Sequence, residues 1–150
     1  MEMKGEQLIP LPQAATWEAL NDPAVLKGCI PGCEAIERIA DNEYEVVLTA
    51  KVGPVNAKFK GKMTVTDADP PNAYTLVFEG QGGVAGFAKG HASVALTPQD
   101  AGTQLVYTAK ATVGGKLAQV GARLIDGVAK KLAGQFFESF NRHVSGKTPR

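Results

Sequence analysis

The central part of the chain alternates apolar and polar side chains. Between residues 55 and 66 the odd positions hold Val, Ala, Phe, Gly, Met and Val, while the even positions hold Asn, Lys, Lys, Lys, Thr and Thr. A period of two is typical of a β-strand with one buried face. Between Glu34 and Val113, turn-forming residues interrupt this pattern at positions 41–42, 53–54, 69–72 and 100–102. The pattern predicts about six strands joined by short turns in an antiparallel meander.

The N-terminal region predicts one strand followed by two short helices. Residues 3–9 form the strand, which is closed by Pro10. Pro12 suits the first turn of the first helix, because a proline there leaves no intrahelical hydrogen bond unmade. Asp22 is a natural N-cap for the second helix, with Pro23 at its first position, and this helix must end before Pro31.

After Gly114 and Gly115 the apolar period becomes 3.6 residues, which predicts one long amphipathic helix. The order of elements gives an α+β fold: a curved antiparallel sheet wrapped around the long C-terminal helix, with two short helices after strand 1. We assign residues 1–144 to a single domain and residues 145–150 to a frayed tail. The apolar stripe of the final helix consists of Leu117, Val120, Gly121, Leu124, Val128, Leu132, Phe136 and Phe140.

Composition narrows the function classes. The 150 residues are 44% hydrophobic and 21% charged, which is typical of a globular domain and too apolar for disorder. A formal net charge of +1 gives no general attraction to nucleic acid. The first residues lack the charged and apolar regions of a secretory signal, and no apolar run is long enough to span a membrane. We therefore expect a cytoplasmic protein.

The inward positions of the predicted sheet are unusually small. Two interpretations remain open: the final helix approaches the sheet closely, or the small residues leave a cavity for a ligand. Gly121, Gly127 and Gly134 lie in the predicted helix. Glycine in a helix interior lowers stability by about 1 kcal/mol relative to alanine, so we expect that space near the helix requires these glycines. We favour an apolar cavity. The small inward residues are Ala57, Gly61, Gly80, Gly90, Ala92, Ala109 and Ala111.

The segment 80–90 contains five glycines in GQGGVAGFAKG. It is not a phosphate-binding loop, because it joins two strands and no helix N-terminus follows it. It is either a flexible hairpin tip or a gate that presents Val84 and Phe87 at the open end of the cavity. An exposed Phe on such a loop also suits a membrane interface. The candidate cavity and gate residues are Phe59, Phe78, Gly82, Gly83, Val84, Gly86, Phe87, Tyr107, Val120, Leu124, Val128, Leu132 and Phe136.

The sequence offers few residues that could form a catalytic or metal-binding site. Cys29 and Cys33 are expected to be two reduced thiols, and Cys33 would react only if its pKa were lowered. His91 points to solvent by parity and His143 is isolated, so neither a metal site nor a catalytic triad can be assembled. The inward polar residues are three tyrosines, Tyr44, Tyr74 and Tyr107, while Lys58, Lys60, Lys62, Lys51, Lys89 and Lys110 share the outer face with Glu43, Glu45 and Glu79.

Five short motifs, in order and spread over nearly the whole chain, resemble the CoxG family, named for the G subunit of carbon monoxide dehydrogenase. This family belongs to the START-like, helix-grip (SRPBCC) superfamily, whose fold matches the predicted order of elements. The resemblance implies an accessory protein that recruits a molybdenum-containing CO dehydrogenase or related hydroxylase to the cytoplasmic membrane, with no catalytic residue. The motifs are Leu20-Asn21-Asp22-Pro23, Cys29-Ile30-Pro31-Gly32-Cys33-Glu34, Val52-Gly53-Pro54-Val55 with Phe59-Lys60-Gly61, residues 80–90, and Val113-Gly114-Gly115-Lys116-Leu117-Ala118.

Combining residues and resemblance gives a leading hypothesis: a non-catalytic protein whose cavity carries an apolar ligand, an isoprenoid quinone, for a molybdenum hydroxylase. Some family members end in a membrane anchor, whereas this chain stops after the helix, so membrane contact would be peripheral, at the inner face of the cytoplasmic membrane, or absent. The second hypothesis is a docking module without a ligand. The third is an enzyme, as in helix-grip cyclases and hydrolases. No bound metal or covalently held cofactor is expected.

Overall fold

The computed structural model describes residues 1–100 and 102–146. Seven strands form one antiparallel sheet in the order β1-β7-β6-β5-β4-β3-β2, so β1 pairs with the last strand and the other neighbours are consecutive. The predicted meander is therefore confirmed. The strands are β1 (Glu2–Ile9), β2 (Cys33–Ala40), β3 (Glu43–Val52), β4 (Val55–Asp69), β5 (Ala73–Gln81), β6 (Phe87–Gln99) and β7 (Gly102–Gly114); the helices are α1 (Gln13–Leu20), α2 (Pro23–Cys29), α3 (Lys116–Gln119) and α4 (Ala122–Gly146).

Local sequence signals set most of the element boundaries. The Asp22 carboxylate accepts a hydrogen bond from the Ala24 backbone N–H at 2.9 Å, and Pro23 is the first residue of α2, as predicted. Asn42 has a φ of 63° in the turn between β2 and β3, a conformation that asparagine adopts more readily than most residues. The predicted turn at 100–102 includes Ala101, which lies outside the described residues.

The apolar period predicts one continuous C-terminal helix, whereas the structure has two, α3 and α4. Gly121 has a φ of 97°, which ends the helical path after α3 and lets α4 start in a new direction at Ala122. The periodic stripe does not reveal this break, because Leu124 and Val128 remain in phase with Leu117. Residues 145 and 146 of the predicted tail belong to α4, and 147–150 lie outside the described residues.

The packed core lies at one end of the sheet. Phe140 and Val144 of α4 are completely buried there with Ile9 of β1 and Leu105 of β7, and α2 packs against α4. The N-terminal half of α4 is different, since Leu132 is 36% exposed and Leu124 is 39% exposed. The C-terminal half of α4 is therefore buried more deeply than the N-terminal half, where Ile125 and Val128 pack against a second apolar cluster that includes Val52 and Phe59.

The residues predicted to face inward along the strands do so. The small residues among them and in α4, however, are small for different structural reasons. A Cβ atom at Gly61 would collide with the carbonyl oxygen of Glu79, and one at Gly90 with that of Lys110, so these two positions allow the strands to curve closely. At Gly127 and Gly134 of α4, an added Cβ atom would have no neighbouring atom within 4 Å. Close helix–sheet approach therefore does not explain the helix glycines.

Alanine at an exposed helix glycine should stabilise the fold. We expect Gly127→Ala to raise the free energy of unfolding by about 0.5 to 1 kcal/mol, because alanine restricts the unfolded chain and meets nothing in the folded one. Gly61→Ala is the matched comparison and should lower it by about 1 to 3 kcal/mol through the collision with backbone. Urea unfolding followed by circular dichroism measures both; destabilisation by Gly127→Ala would show that α4 is packed at that position.

Candidate ligand cavity

A cavity of about 300 Å³ lies between the concave face of the sheet and the C-terminal region, and we call it the outer chamber. Its floor is a row of small or branched side chains that are neighbours across four strands. Gly61 of β4 pairs with Val46 of β3 and with Gly80 of β5, and Gly80 pairs with Ala88 of β6. Two glycines side by side make a depression that larger inward side chains would fill.

A small apolar cluster lies beside the outer chamber. Val52, Phe59, Ala85 and Leu117 are all at least nine-tenths buried and bring together β3, β4, the 3-10 turn before β6, and α3. Phe59 and Leu117 also line the chamber. Its walls are therefore formed by packed side chains, and Ile125 and Val128 of α4 pack against the same cluster.

Two charged residues that are neighbours across the sheet, Lys62 and Glu79, border the outer chamber. Lys62 borders the chamber, and its ammonium group is 2.7 Å from the Glu43 carboxylate. That hydrogen bond raises the pKa of Lys62, so the amine stays protonated and cannot act as a base near neutral pH. The chamber surface itself is almost wholly apolar.

A second cavity of about 220 Å³, the inner chamber, lies towards the core between the sheet and the C-terminal half of α4. Phe136 and Phe137 of α4 line it from one side, with their ring centroids 5.1 Å apart. Leu26 of α2 and Leu76 of β5 line it from others. Helices and sheet thus enclose this chamber more fully than the outer one.

The two chambers adjoin. Ile30, just after α2, and Met63 of β4 line both of them. Across the sheet Met63 pairs with Tyr44, which lines the inner chamber, and with Phe78, which lines the outer one. The side chains of Ile30 and Met63 therefore stand between two apolar spaces.

The inner chamber carries three tyrosines with different surroundings. The Tyr44 hydroxyl accepts a hydrogen bond from the Arg38 guanidinium at 3.0 Å and donates one to the Asn21 carbonyl at 3.4 Å. Tyr74 is 4% exposed, and burial raises its pKa, so its hydroxyl stays neutral. The Tyr107 ring stacks on Phe137 at 5.6 Å. These are weakly acidic groups, suited to hydrogen bonding more than to proton abstraction.

The structure brings together some of the sequence-predicted site residues. Phe59 and Phe78 line the outer chamber, and Tyr107 and Phe136 line the inner one. Val120 and Val128 are half-buried against the cluster of Phe59 and Leu117 without lining either chamber, while Leu124 and Leu132 are exposed. Sequence reasoning missed Ile30, which follows a short helix without periodicity, and Met63, which the alternation of β4 would have included.

The glycine-rich segment forms a closed turn. The backbone N–H of Gly82 donates to the Gly86 carbonyl at 2.7 Å, and Gly83–Ala85 form a 3-10 turn. Gly86 has a φ of 108°, and any Cβ there would collide with the Gly114 carbonyl. Backbone contact with the start of the C-terminal region therefore holds this turn in place.

Neither predicted gate side chain lines a chamber. Val84 is 85% exposed at the tip of the turn, and its neighbour Ala85 is the buried residue. Phe87 is the first residue of β6, so its side chain lies opposite to that of Ala88, packs over Gly114 and has the Lys89 ammonium 5.8 Å from its ring centre. In β6 it is therefore Ala88, and not Phe87, whose side chain faces the outer chamber.

Other reactive groups do not add a site. Burial raises the pKa of both Cys29 and Cys33, which makes the nucleophilic thiolate less available. Within residues 1–100 and 102–146 no three His, Cys, Asp or Glu residues are grouped so that they could hold a metal ion. None of the described helices has the length and hydropathy needed to cross a membrane.

Comparisons with known proteins agree with this architecture. The family model for CoxG, the G subunit of carbon monoxide dehydrogenase, matches residues 5–145. A conserved protein from Geobacillus kaustophilus has a similar crystal structure, with a TM-score of 0.91 and 35% identity over 97% of this chain and 96% of that one. No curated protein matches the chain.

More distant structures share the fold alone. The protein TTHA0849 from Thermus thermophilus has a TM-score of 0.74 at 15% identity, covering 99% of this chain and 100% of that one. The Zhui aromatase/cyclase from Streptomyces sp. R1128 has a TM-score of 0.69 at 13% identity, covering 97% and 93%. These neighbours place the chain in the helix-grip fold.

Filling the floor of the outer chamber should remove its capacity without unfolding the protein. A Cβ at Gly80 has no neighbour closer than 3.9 Å, so in Gly80→Leu the new side chain should enter the chamber. We expect an unchanged or higher thermal midpoint and loss of the toluene-induced NMR shifts at outer-chamber residues such as Phe59, since a cavity of about 150 Å³ already holds benzene; shifts at the inner chamber should remain. Val77→Leu, on the exposed face of the same strand, is the control and should show the outer-chamber shifts of the parent. Equal outer-chamber shifts in both variants would contradict the assignment of the chamber.

Proposed function

The chain belongs to the CoxG family of carbon monoxide dehydrogenase, and we propose that it is a non-catalytic accessory protein that carries an isoprenoid quinone for a molybdenum hydroxylase of the CO dehydrogenase type. Family membership gives the accessory role with CO dehydrogenase. The observation that carries the ligand proposal is the pair of adjoining apolar chambers on the inner face of the sheet, one beside α3 and one beneath the C-terminal half of α4.

The size and chemistry of the chambers suit an apolar ring with a hydrocarbon chain. The outer chamber alone, at about 300 Å³, reaches the lower end of the range for small-molecule sites. Burying roughly 200 Å² of apolar ligand surface would contribute about 5 kcal/mol before the cost of immobilising the ligand. The apolar lining thus favours a ligand that is poorly soluble in water.

The expected partner supplies a reason to carry a quinone. A CO dehydrogenase that oxidises CO with water releases two electrons and two protons for each CO2 formed. One quinone accepts both electrons and both protons and leaves as one quinol, so the overall reaction CO + H2O + quinone → CO2 + quinol is balanced. In this proposal the accessory chain shields the quinone from water while it moves between membrane and enzyme, and is itself unchanged.

Peripheral membrane contact is part of the proposal and rests on the end of the molecule that holds the outer chamber. Val84 projects from the 3-10 turn, which contacts α3, and Leu124 is partly exposed on the next helix. Lys116 and Arg123 lie in the same region of sequence. Apolar side chains with flanking cations suit the interface of an anionic bilayer.

An enzymatic function is less well supported by the cavity. The side chains that face the inner chamber offer tyrosine hydroxyls and the amide of Asn21, and Tyr44 is already hydrogen bonded to Arg38. The similarity to an aromatase/cyclase extends to the fold at 13% identity and gives no residue to transfer. A carrier needs no catalytic acid or base, so a mostly apolar lining is sufficient for it.

A second candidate function is protein docking without a ligand. On the outer face, Lys58 pairs with Glu34 at 3.1 Å and Lys62 with Glu43 at 2.7 Å. Lys60 stands between them and makes no ion pair within the described residues, which favours attraction to an acidic partner surface. Such attraction would weaken as salt screens it.

The carrier proposal predicts quinone binding that depends on the outer chamber. The parent protein should bind a naphthoquinone with a short isoprenoid tail, seen as quenching of Trp17 and tyrosine fluorescence. Gly80→Leu should weaken binding at least tenfold, because its side chain occupies the space, while Val77→Leu should bind normally. No quenching by the parent at any quinone concentration below the solubility limit would refute quinone carriage.

The two candidate functions differ in how salt affects association with the hydroxylase. If the outer face alone docks the partner, Lys60→Glu should abolish association, and raising salt from 50 to about 500 mM should do the same. If quinone carriage is the function, Lys60→Glu should leave quinone affinity unchanged. Salt-sensitive association by a protein that binds no quinone would favour the docking module.

A further inference from the structure

We infer that the two chambers are halves of one channel occupied by a single elongated ligand. The ligand accepts a hydrogen bond from the Tyr74 hydroxyl, and its hydrocarbon tail passes Met63 into the outer chamber. This inference rests on the proposed function and assigns the position and orientation of the ligand. It makes Met63 the residue that determines ligand length.

The wall between the chambers is narrow and partly movable. Ile30 and Met63 are the two residues that line both spaces within the described chain. Methionine is unbranched, with three rotatable bonds, so it changes rotamer at little cost, whereas the β-branched side chain of isoleucine is stiff. Met63 is also only half-buried, and its cross-strand neighbours lie one in each chamber. Rotation of Met63 against a fixed Ile30 therefore joins the chambers.

The volumes favour one ligand that spans both chambers. A cavity of about 150 Å³ holds one benzene. By that measure each chamber holds one compact ring or a short hydrocarbon chain and little else, the inner one at about 220 Å³ and the outer one at about 300 Å³. A ring that bears several isoprene units fits only if its tail continues from one chamber into the other.

Tyr74 supplies the polar end of the channel. It is 4% exposed and lines the inner chamber, where it lies near Tyr44, and none of the side-chain hydrogen bonds seen among the described residues involves its hydroxyl. The other two tyrosines of this chamber differ: Tyr44 is bonded to Arg38 and Asn21, and the hydroxyl of Tyr107 lies over Gly5 of β1. A buried hydroxyl normally finds a partner, because leaving it unpaired is unfavourable. A carbonyl oxygen at the inner end of the ligand completes that hydrogen bond.

Tail-length dependence tests the channel. The probes are 2-methyl-1,4-naphthoquinone without a tail and the same ring with one, two and four isoprene units, titrated by fluorescence quenching. In the parent protein, affinity should rise at least tenfold from the tail-less ring to the longer tails. Met63→Phe should remove this rise while binding the tail-less ring within threefold of the parent, because the larger ring closes the passage.

Two further variants keep the channel test valid if Met63→Phe does not fold. Met63→Ile has a similar volume with a stiff side chain and should flatten the tail-length dependence. Met63→Ala opens the passage and should preserve or steepen it. An unchanged length dependence in Met63→Ile, or a flat dependence in the parent itself, overturns the channel and leaves quinone binding in one chamber standing. No binding of any probe by the parent overturns both this inference and the proposed function.

A comparison of quinone with hydrocarbon tests the Tyr74 anchor. Tyr74→Phe should weaken binding of the tailed naphthoquinone about fivefold to tenfold, the effect of losing one hydrogen bond. It should leave unchanged the binding of 2-methylnaphthalene with the same tail, which has no carbonyl oxygen. Tyr44→Phe is the control, since its hydroxyl is already engaged, and it should not discriminate between the two probes. Equal weakening of both probes by Tyr74→Phe overturns the anchor.

Discussion

The uneven packing of α4 against the sheet is the constraint on which the rest of the structure depends. Phe140 and Val144 are fully buried against the sheet, and Phe137 stacks on Tyr107 of β7. Towards its N-terminus α4 is less deeply buried. Ile125 and Val128 still pack against the cluster of Val52 and Phe59, whereas Leu124 and Leu132, which would each contribute about 1.5 to 3 kcal/mol if fully buried, remain partly exposed. The outer chamber lies beside this region, lined by the sheet, Ile30 and Leu117. A tightly covered sheet would be more stable and would have nowhere to place a ligand.

The small residues of the sheet serve two separate purposes. At Gly61 and Gly90 a side chain would strike the backbone of the neighbouring strand, so these positions permit the curvature that lets seven strands face one helix. At Gly80 a side chain would meet open space, so this glycine contributes volume and not curvature. The cavity therefore depends on both effects: curvature forms a concave face, and missing side chains leave part of that face unfilled.

Sequence patterns predicted the local structure better than the site. Alternation along β4 gave the correct buried face, and Asp22 with Pro23 gave the start of α2, because both signals depend on neighbouring residues. The break at Gly121 was missed because the apolar stripe continues in phase across it. The glycine-rich segment is compatible from sequence with either a flexible hairpin tip or a gate that presents Phe87; in the structure Phe87 begins β6, next to the backbone contact of Gly86 with Gly114. The division of the cavity by Ile30 and Met63 depends on where α2 meets β4, which no local pattern encodes.

The central claim is that the apolar space on the inner face of the sheet is a ligand site and not a gap left by imperfect packing. The most direct measurement is an organic extraction of protein purified without detergent, with the extract analysed by ultraviolet absorption and mass spectrometry against a mock purification. We predict a near-stoichiometric apolar molecule, with the absorption and mass of an isoprenoid quinone, and its depletion from Gly80→Leu but not from Val77→Leu. An empty extract, together with no rise in thermal midpoint on adding quinones, would contradict the claim.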